Sequence, residues 1–136
     1  MLRNATPADV GPIIALINDN LDKLLPRPNH EIEELLDTFW VVEHEGEIVG
    51  CVCLEVYSAK IAEVRSLAVR EGYRGHGYGE MLVETAVNEA ISRKVRQVLV
   101  VTSQLEFFEK MNFGLCLNEK YALFYNGTGR PDPEPR

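Results

Sequence analysis

The chain has 136 residues, of which 46% are apolar, and a formal net charge of −7. That length suits one domain able to bury well over half of its unfolded surface, and the acidic balance argues against nucleic acid, which needs a basic face. No apolar run approaches the ~20 residues that span a bilayer, and MLRNATPADV lacks the apolar core of a signal peptide, so no membrane association is expected and a cytoplasmic protein is.

Residues 2–5 read as a short strand. Thr6 then caps a helix that opens on Pro7, Ala8 and Asp9. Ile13, Ile14, Leu16 and Ile17 supply its buried face, and it ends near Asn20. LLPRP at 24–28 is a stiff extended connector, because residues before proline avoid helical angles. Asn29 caps a second helix with Ile32, Leu35 and Leu36 inward; Glu31, Glu33 and Glu34 form a solvated face near its positive end. Residues 39–43 and 47–57 are two strands joined by a tight turn at His44, Glu45 and Gly46. Cys51 and Cys53 alternate along the second of them. With an odd number of cysteines and no second ligand pair at zinc spacing, they and Cys116 read as small buried hydrophobes, and no metal is expected.

The meander continues into a strand at 63–69, followed by a glycine-rich turn and a long helix from Tyr78. Leu82, Ala86 and Ala90 lie four apart, as do Val83, Val87 and Ile91, giving one broad apolar face. Residues 96–102 return parallel to 63–69, as a right-handed crossover requires. A short helix at 106–111 ends at Asn112, which tolerates a left-handed cap. Strands at 113–117 and 120–125 follow. Residues 127–136 carry three prolines, two glycines and no apolar side chain, so a disordered tail is expected after a single domain over 1–126.

The strand, turn and helix of 63–93 organise the rest. Unpaired N–H groups in a helix's first turn, with the positive end of its dipole, form an anion cradle. Gly75, Gly77 and Gly79 keep side chains away, so a pyrophosphate can approach the main chain. Arg74 adds a forked donor at the rim. Many glycine-rich turns are simple connectors, so the turn alone leaves both readings open. GxxxxGK(S/T) is absent, which excludes a P-loop. The G-x-G-x-G spacing and the lack of an acidic residue on the next strand argue against a dinucleotide fold.

RGHGYG at 74–79 fits the (Q/R)-x-x-G-x-(G/A) signature of the GCN5-related N-acetyltransferase (GNAT) superfamily. EVRSLAV is similar to that superfamily's central strand and LEFFEKMNF, 105–113, to its downstream cofactor helix; the resemblance covers about 39–124. It implies an α/β (α+β) GNAT fold: a mixed, mostly antiparallel sheet of about six to seven strands, splayed between the central strand and the next, with about four flanking helices. It also implies acetyl-CoA as co-substrate. Main-chain groups of Leu67, Ala68 and Val69 would pair with the pantetheine amides, one N–H polarising the thioester carbonyl. Arg74, Gly75, His76, Gly77, Tyr78, Gly79 and Glu80 would hold the pyrophosphate. Ser103, Phe107 and Phe108 complete the cofactor-binding set, the phenylalanines reading equally as pantetheine walls or as core.

Glu63, the only carboxylate on the central strand, resembles in position a base glutamate of the histone-acetylating branch, though it could also be an exposed strand residue or pair with Arg65 across the pleat. Phe108 stands where many relatives carry a tyrosine acid, so water, Tyr121 or Tyr125 must protonate the thiolate. LLPRPNHEIEELL, 24–36, with the following hairpin, resembles short N-acetylglutamate synthase-like acetyltransferases. In that group an arginine of the LLPR stretch helps hold glutamate carboxylates. Arg27 is the match, Arg65 a second candidate, and two guanidinium forks suit a dicarboxylic acceptor. Both arginines could instead be surface residues. The expected activity is acetyl-CoA-dependent N-acetyl transfer to a small-molecule amine, with an amino acid such as glutamate leading. The alternatives are another small amine, a protein N-terminus, or a CoA-binding sensor domain without turnover. The oligomeric state stays open, a homodimer being one option.

Overall fold

Apolar runs within 39–69 pair into an antiparallel meander. In the computed structural model, which describes residues 1–114, the chain divides into two compact units, Met1–Val100 and Val101–Arg136. Cys116, Tyr121, Tyr125, the strand expected at 120–125, most of that at 113–117 and the tail lie outside the described residues.

The first unit holds β1 (Leu2–Asn4), α1 (Val10–Asn18), α2 (Asn29–Glu34), β2 (Phe39–His44), β3 (Glu47–Val56), β4 (Ile61–Val69), α3 (Tyr78–Ser92) and β5 (Gln97–Leu99). Its sheet has 5 strands in sequence order, antiparallel except for the parallel β4–β5 pair. Thus five of the expected six to seven strands fall among the described residues. Glu45 and Gly46, at φ 51° and 80°, form the two-residue turn between β2 and β3. No helix among the described residues is long and apolar enough to cross a membrane.

Several boundaries differ from the sequence reading. Pro7–Asp9 is a three-ten turn leading into α1. Pro28, extended at φ −72° and ψ 156°, is the N-cap of α2, and Asn29 is its first residue; proline lacks the N–H that a cap position leaves unused. The apolar face of α3 is narrower than its spacing predicts. Leu82, Val83, Ala86 and Ala90 are buried, while Ile91 in the last turn is 66% exposed. β5 covers three of the seven residues expected at 96–102. It pairs only with Ile61–Glu63.

β3 and β4 carry the feature that shapes the site. Cys51 pairs with Ala68 and Cys53 with Arg65, so Ser66 and Leu67 together face Val52. This bulge puts Ser66 at φ 56°, left-handed in mid-strand, a conformation that costs a β-region serine on the order of 1 kcal/mol or more. The Cys51 thiol donates to the Ser66 carbonyl at 3.3 Å. Burial pushes the Cys51 and Cys53 thiols up to about 12, so both behave as packing groups, as expected.

In the second unit, α4 (Leu105–Lys110) is followed by Asn112 at φ 68°, the left-handed residue foreseen there. The Phe113 N–H bonds the Phe108 carbonyl at 3.0 Å. The Phe108 ring packs edge-on against Phe107 at 4.9 Å and Phe113 at 5.4 Å.

Gly50 of β3 lies under α3. A Cβ there would meet Leu82 Cδ1 at 3.1 Å and the Ala68 carbonyl at 3.4 Å. Gly50→Val should therefore lower stability by about 1–3 kcal/mol through overpacking. Urea unfolding monitored by circular dichroism reads this out, and an unchanged midpoint would show that α3 has room to move.

Candidate active site

The glycine-rich turn ends in a helix start built for an anion. Gly75 and Gly77 have φ of 81° and 83°, the left-handed region that glycine adopts without strain. Gly77 is the N-cap of α3, and the first helical bond runs from the Met81 N–H to its carbonyl at 3.0 Å. The amides of Tyr78, Gly79 and Glu80 precede that bond, so helix geometry gives them no intrahelical acceptor. A Cβ on Gly77 would meet nothing closer than Glu80 Oε2 at 3.8 Å, so the approach is open. His76 and Glu80 are exposed, and the His76 ring lies 6.2 Å from that of Tyr78.

Arg74 is placed differently from the rim donor expected. Its Nε donates to the Val69 carbonyl and its Nη2 to Asn20 Oδ1, both at 3.0 Å. Asn20 in turn donates to the Leu16 carbonyl at 2.8 Å. Arg74 thus ties the turn to the end of α1. The Val69 carbonyl is occupied and Ala68 is paired with Cys51 of β3, which leaves Leu67 as the open main chain near the bulge. Among the described residues, 64–69 have no strand partner on the β5 side, because β5 stops pairing at Glu63. An extended amide-bearing ligand fits such an edge.

A second cluster lies on β3 and β4. Glu55 and Glu63 are register partners. The Tyr57 hydroxyl lies 2.8 Å from Glu55 Oε2 and 2.6 Å from Glu63 Oε1, with one proton to share between them. Arg65 Nη1 donates to Glu55 Oε2 at 2.7 Å. Burial opposes the charge on Glu55, but bonds from Arg65 and Tyr57 and the nearby arginine charges prevail and hold its carboxyl below the usual range. Burial, then the two carboxylates, raise the Tyr57 hydroxyl above the ordinary tyrosine value. Glu63 itself is only 8% exposed.

Arg27 reaches this cluster from the connector before α2. Its side chain is 1% exposed. Among the described residues none of its three guanidinium nitrogens has a hydrogen-bond partner. Glu55 Oε2, at 3.9 Å from Nη2, is within ion-pair range but beyond a hydrogen bond. Burying a charge this way costs several kcal/mol unless an anion completes it. The surface reading of Arg27 is therefore wrong, and the offset of Arg65 comes from Glu55 rather than Glu63.

Sequence reasoning brought Arg27, Glu63 and Arg65 forward but passed over Glu55 and Tyr57. A signal existed: Glu55 and Tyr57 are two apart, as are Glu63 and Arg65, so each pair shares a strand face. Ser103, Phe107 and Phe108 belong to the second unit. There Ser103 is exposed and Phe108 is 5% exposed.

Residues 36–114 match the family model described as an acetyltransferase (GNAT) domain. The chain is 34% identical over 114 residues to an uncharacterised N-acetyltransferase of Chlorobaculum tepidum, covering 82% of this chain and 74% of that protein. It is 32% identical to an amino-acid acetyltransferase of Mycobacterium tuberculosis, over 83% and 67% of the two. A solved Mycobacterium tuberculosis protein, in complex with CoA and a second ligand, is similar with a TM-score of 0.79 at 31% identity, over 82% of this chain and 70% of that one. N-acetylglutamate synthase from Neisseria gonorrhoeae, complexed with coenzyme A and N-acetyl-glutamate, is similar with a TM-score of 0.75 at 27% identity. The match covers 82% of this chain but only 27% of that longer enzyme.

Gly77→Glu would set a carboxylate at the mouth of the α3 cradle. Acetyl-CoA affinity should fall on the order of 100-fold, roughly 3 kcal/mol. Gly77→Ala, which adds only the left-handed strain, should lose far less. Calorimetric titration measures both, and equal affinities in folded variants would remove the cradle from cofactor binding.

Proposed function

Since the chain belongs to the GNAT acetyltransferase family and is an acetyl-CoA-dependent N-acetyltransferase, we propose that its acceptor is an amino acid, held by its carboxylate on Arg27 with its amine presented to Glu63. The observation that carries this reading is the buried Arg27 guanidinium without a hydrogen-bond partner among the described residues. A planar fork of donors, already desolvated, is complementary to one anion above others: a carboxylate bound through two parallel bonds. The similarity to amino-acid acetyltransferases and to N-acetylglutamate synthase supports an amino-acid acceptor, with glutamate among the candidates.

Geometry supports the same pairing of groups. From Glu63 Oε1 through the Tyr57 hydroxyl and Glu55 Oε2 to Arg27 Nη2, successive contacts are 2.6, 2.8 and 3.9 Å. This path sets an upper limit on the separation of Glu63 and Arg27 that is comparable to the roughly 8 Å spanned by an α-amino acid with a hydrogen bond at each end. When bound, acetyl-CoA supplies an activated acetyl thioester. Glu63 takes a proton from the acceptor's ammonium, and the freed amine forms the new N–C bond as the C–S bond breaks. The Tyr57 hydroxyl holds the Glu63 carboxylate in place. Leu67 offers main-chain groups for the pantetheine arm, and the α3 cradle holds the pyrophosphate. The leaving thiolate takes, through water, the second proton that the acylated nitrogen sheds.

Glu63→Gln keeps the shape and removes the base. Turnover should fall by ~100-fold near neutral pH, with part of the loss recovered as pH rises and the amine deprotonates unaided. Wild-type rates across that range would exclude Glu63 as the base.

Arg27→Met separates binding from folding. The free protein should be as stable as wild type or more so, because a buried guanidinium without hydrogen bonds among the described residues is gone. Acceptor KM should rise at least about tenfold while acetyl-CoA affinity stays put. Arg27→Lys should fall between, since a point charge cannot replace a fork. Identical acceptor kinetics in wild type and Arg27→Met would rule out the amino-acid reading.

A further inference from the structure

We propose that Glu55 determines acceptor specificity: by holding Arg65 it leaves Arg27 as the open cation, so the acceptor is an amino acid whose side chain carries no carboxylate. This inference rests on the amino-acid reading and narrows it. Glu55 Oε2 accepts from Arg65 Nη1 at 2.7 Å and from the Tyr57 hydroxyl at 2.8 Å, while Arg27 Nη2 stays 3.9 Å away. Arg65 is thereby committed, whereas the Arg27 donors are not.

Charge balance then decides which acceptor fits. Within this cluster the two arginines offset the two glutamates. The acceptor's ammonium goes to Glu63, and its main-chain carboxylate goes to Arg27. A second carboxylate meets no uncommitted cation. To reach Arg65 it must displace Glu55, break a charge-assisted bond and leave a like charge beside itself. Arg65 and Glu55 are only 26% and 21% exposed, so water and salt screen this conflict less than at an open surface. Glu55 keeps its charge near neutral pH, its carboxyl being held below the usual range by Arg65 and Tyr57 against the opposing effect of burial. An amide side chain of the same shape raises no such conflict. The two-arginine logic that favours a dicarboxylic acceptor therefore fails on the pairing of Arg65, a fact of register that composition does not show.

Initial rates with glutamine and glutamate, equal in shape and differing by one charge, test this in wild type and in Glu55→Gln. The wild type should use glutamine at least about tenfold better in kcat/KM. Glu55→Gln should move the ratio toward glutamate by about tenfold or more, because the cluster then carries an unopposed positive charge. Glu55→Ala should move it the same way, and calorimetric acetyl-CoA affinity reports that both variants are folded. A wild type that favours glutamate, or a ratio that neither folded variant shifts, overturns the role of Glu55 and leaves the amino-acid reading standing. Turnover confined to amines without a carboxylate overturns both.

Discussion

The pairing of β3 with β4 is the constraint from which the site follows. Its register places Glu55 opposite Glu63 and brings Arg65 within reach of Glu55. Its bulge turns Ser66 left-handed and interrupts the ladder beside the open main chain of Leu67. At its other end Gly50 pairs with Val69 and lies close beneath Leu82 of α3. A slip of one residue would send every one of these side chains to the opposite face. The strained serine, the acidic pair and the close helix contact are thus one structural commitment, held by strands that are mostly buried.

Arg27 opposes that economy. A guanidinium with 1% side-chain exposure, lacking hydrogen-bond partners among the described residues, works against folding. Sites that bind a charged group are where such costs are retained, because preorganised, dehydrated donors need little rearrangement when the ligand arrives. Pro26 and Pro28 flank the residue and restrict its backbone, so the donors are delivered by a stiff segment rather than by a mobile loop. Tyr57 plays the complementary part among the acids. One hydroxyl proton between two carboxylates keeps both within a fixed geometry.

Local pattern made the elements legible. Apolar runs bounded by turn residues marked the meander, the change of period marked α3, and glycines at 75 and 77 marked a left-handed turn before a helix. Boundaries suffered where two local rules compete, as at Pro28 and Asn29. Both can stand at a helix start, and the cap went to the residue with no N–H to satisfy. The apolar face of α3 stops short of Ile91, because periodicity reports what a helix could bury and not where its supporting sheet ends.

The resemblance to GNAT acetyltransferases implied the fold and brought forward Arg27, Glu63 and Arg65, while residue types and spacing by themselves marked the helices, the strands and the glycine-rich turn before α3. Those elements depend on short-range rules, in which a residue's chemistry and its near neighbours suffice. The tertiary structure alone decided that Arg74 anchors the turn to α1, that Arg27 is buried without a partner, and that Glu55 rather than a ligand pairs with Arg65. Each of those joins residues 10 to 54 positions apart or rests on burial by distant segments. Which charge meets which is set by strand register and bulge, and a one-residue change in either would reassign the partners without altering the composition.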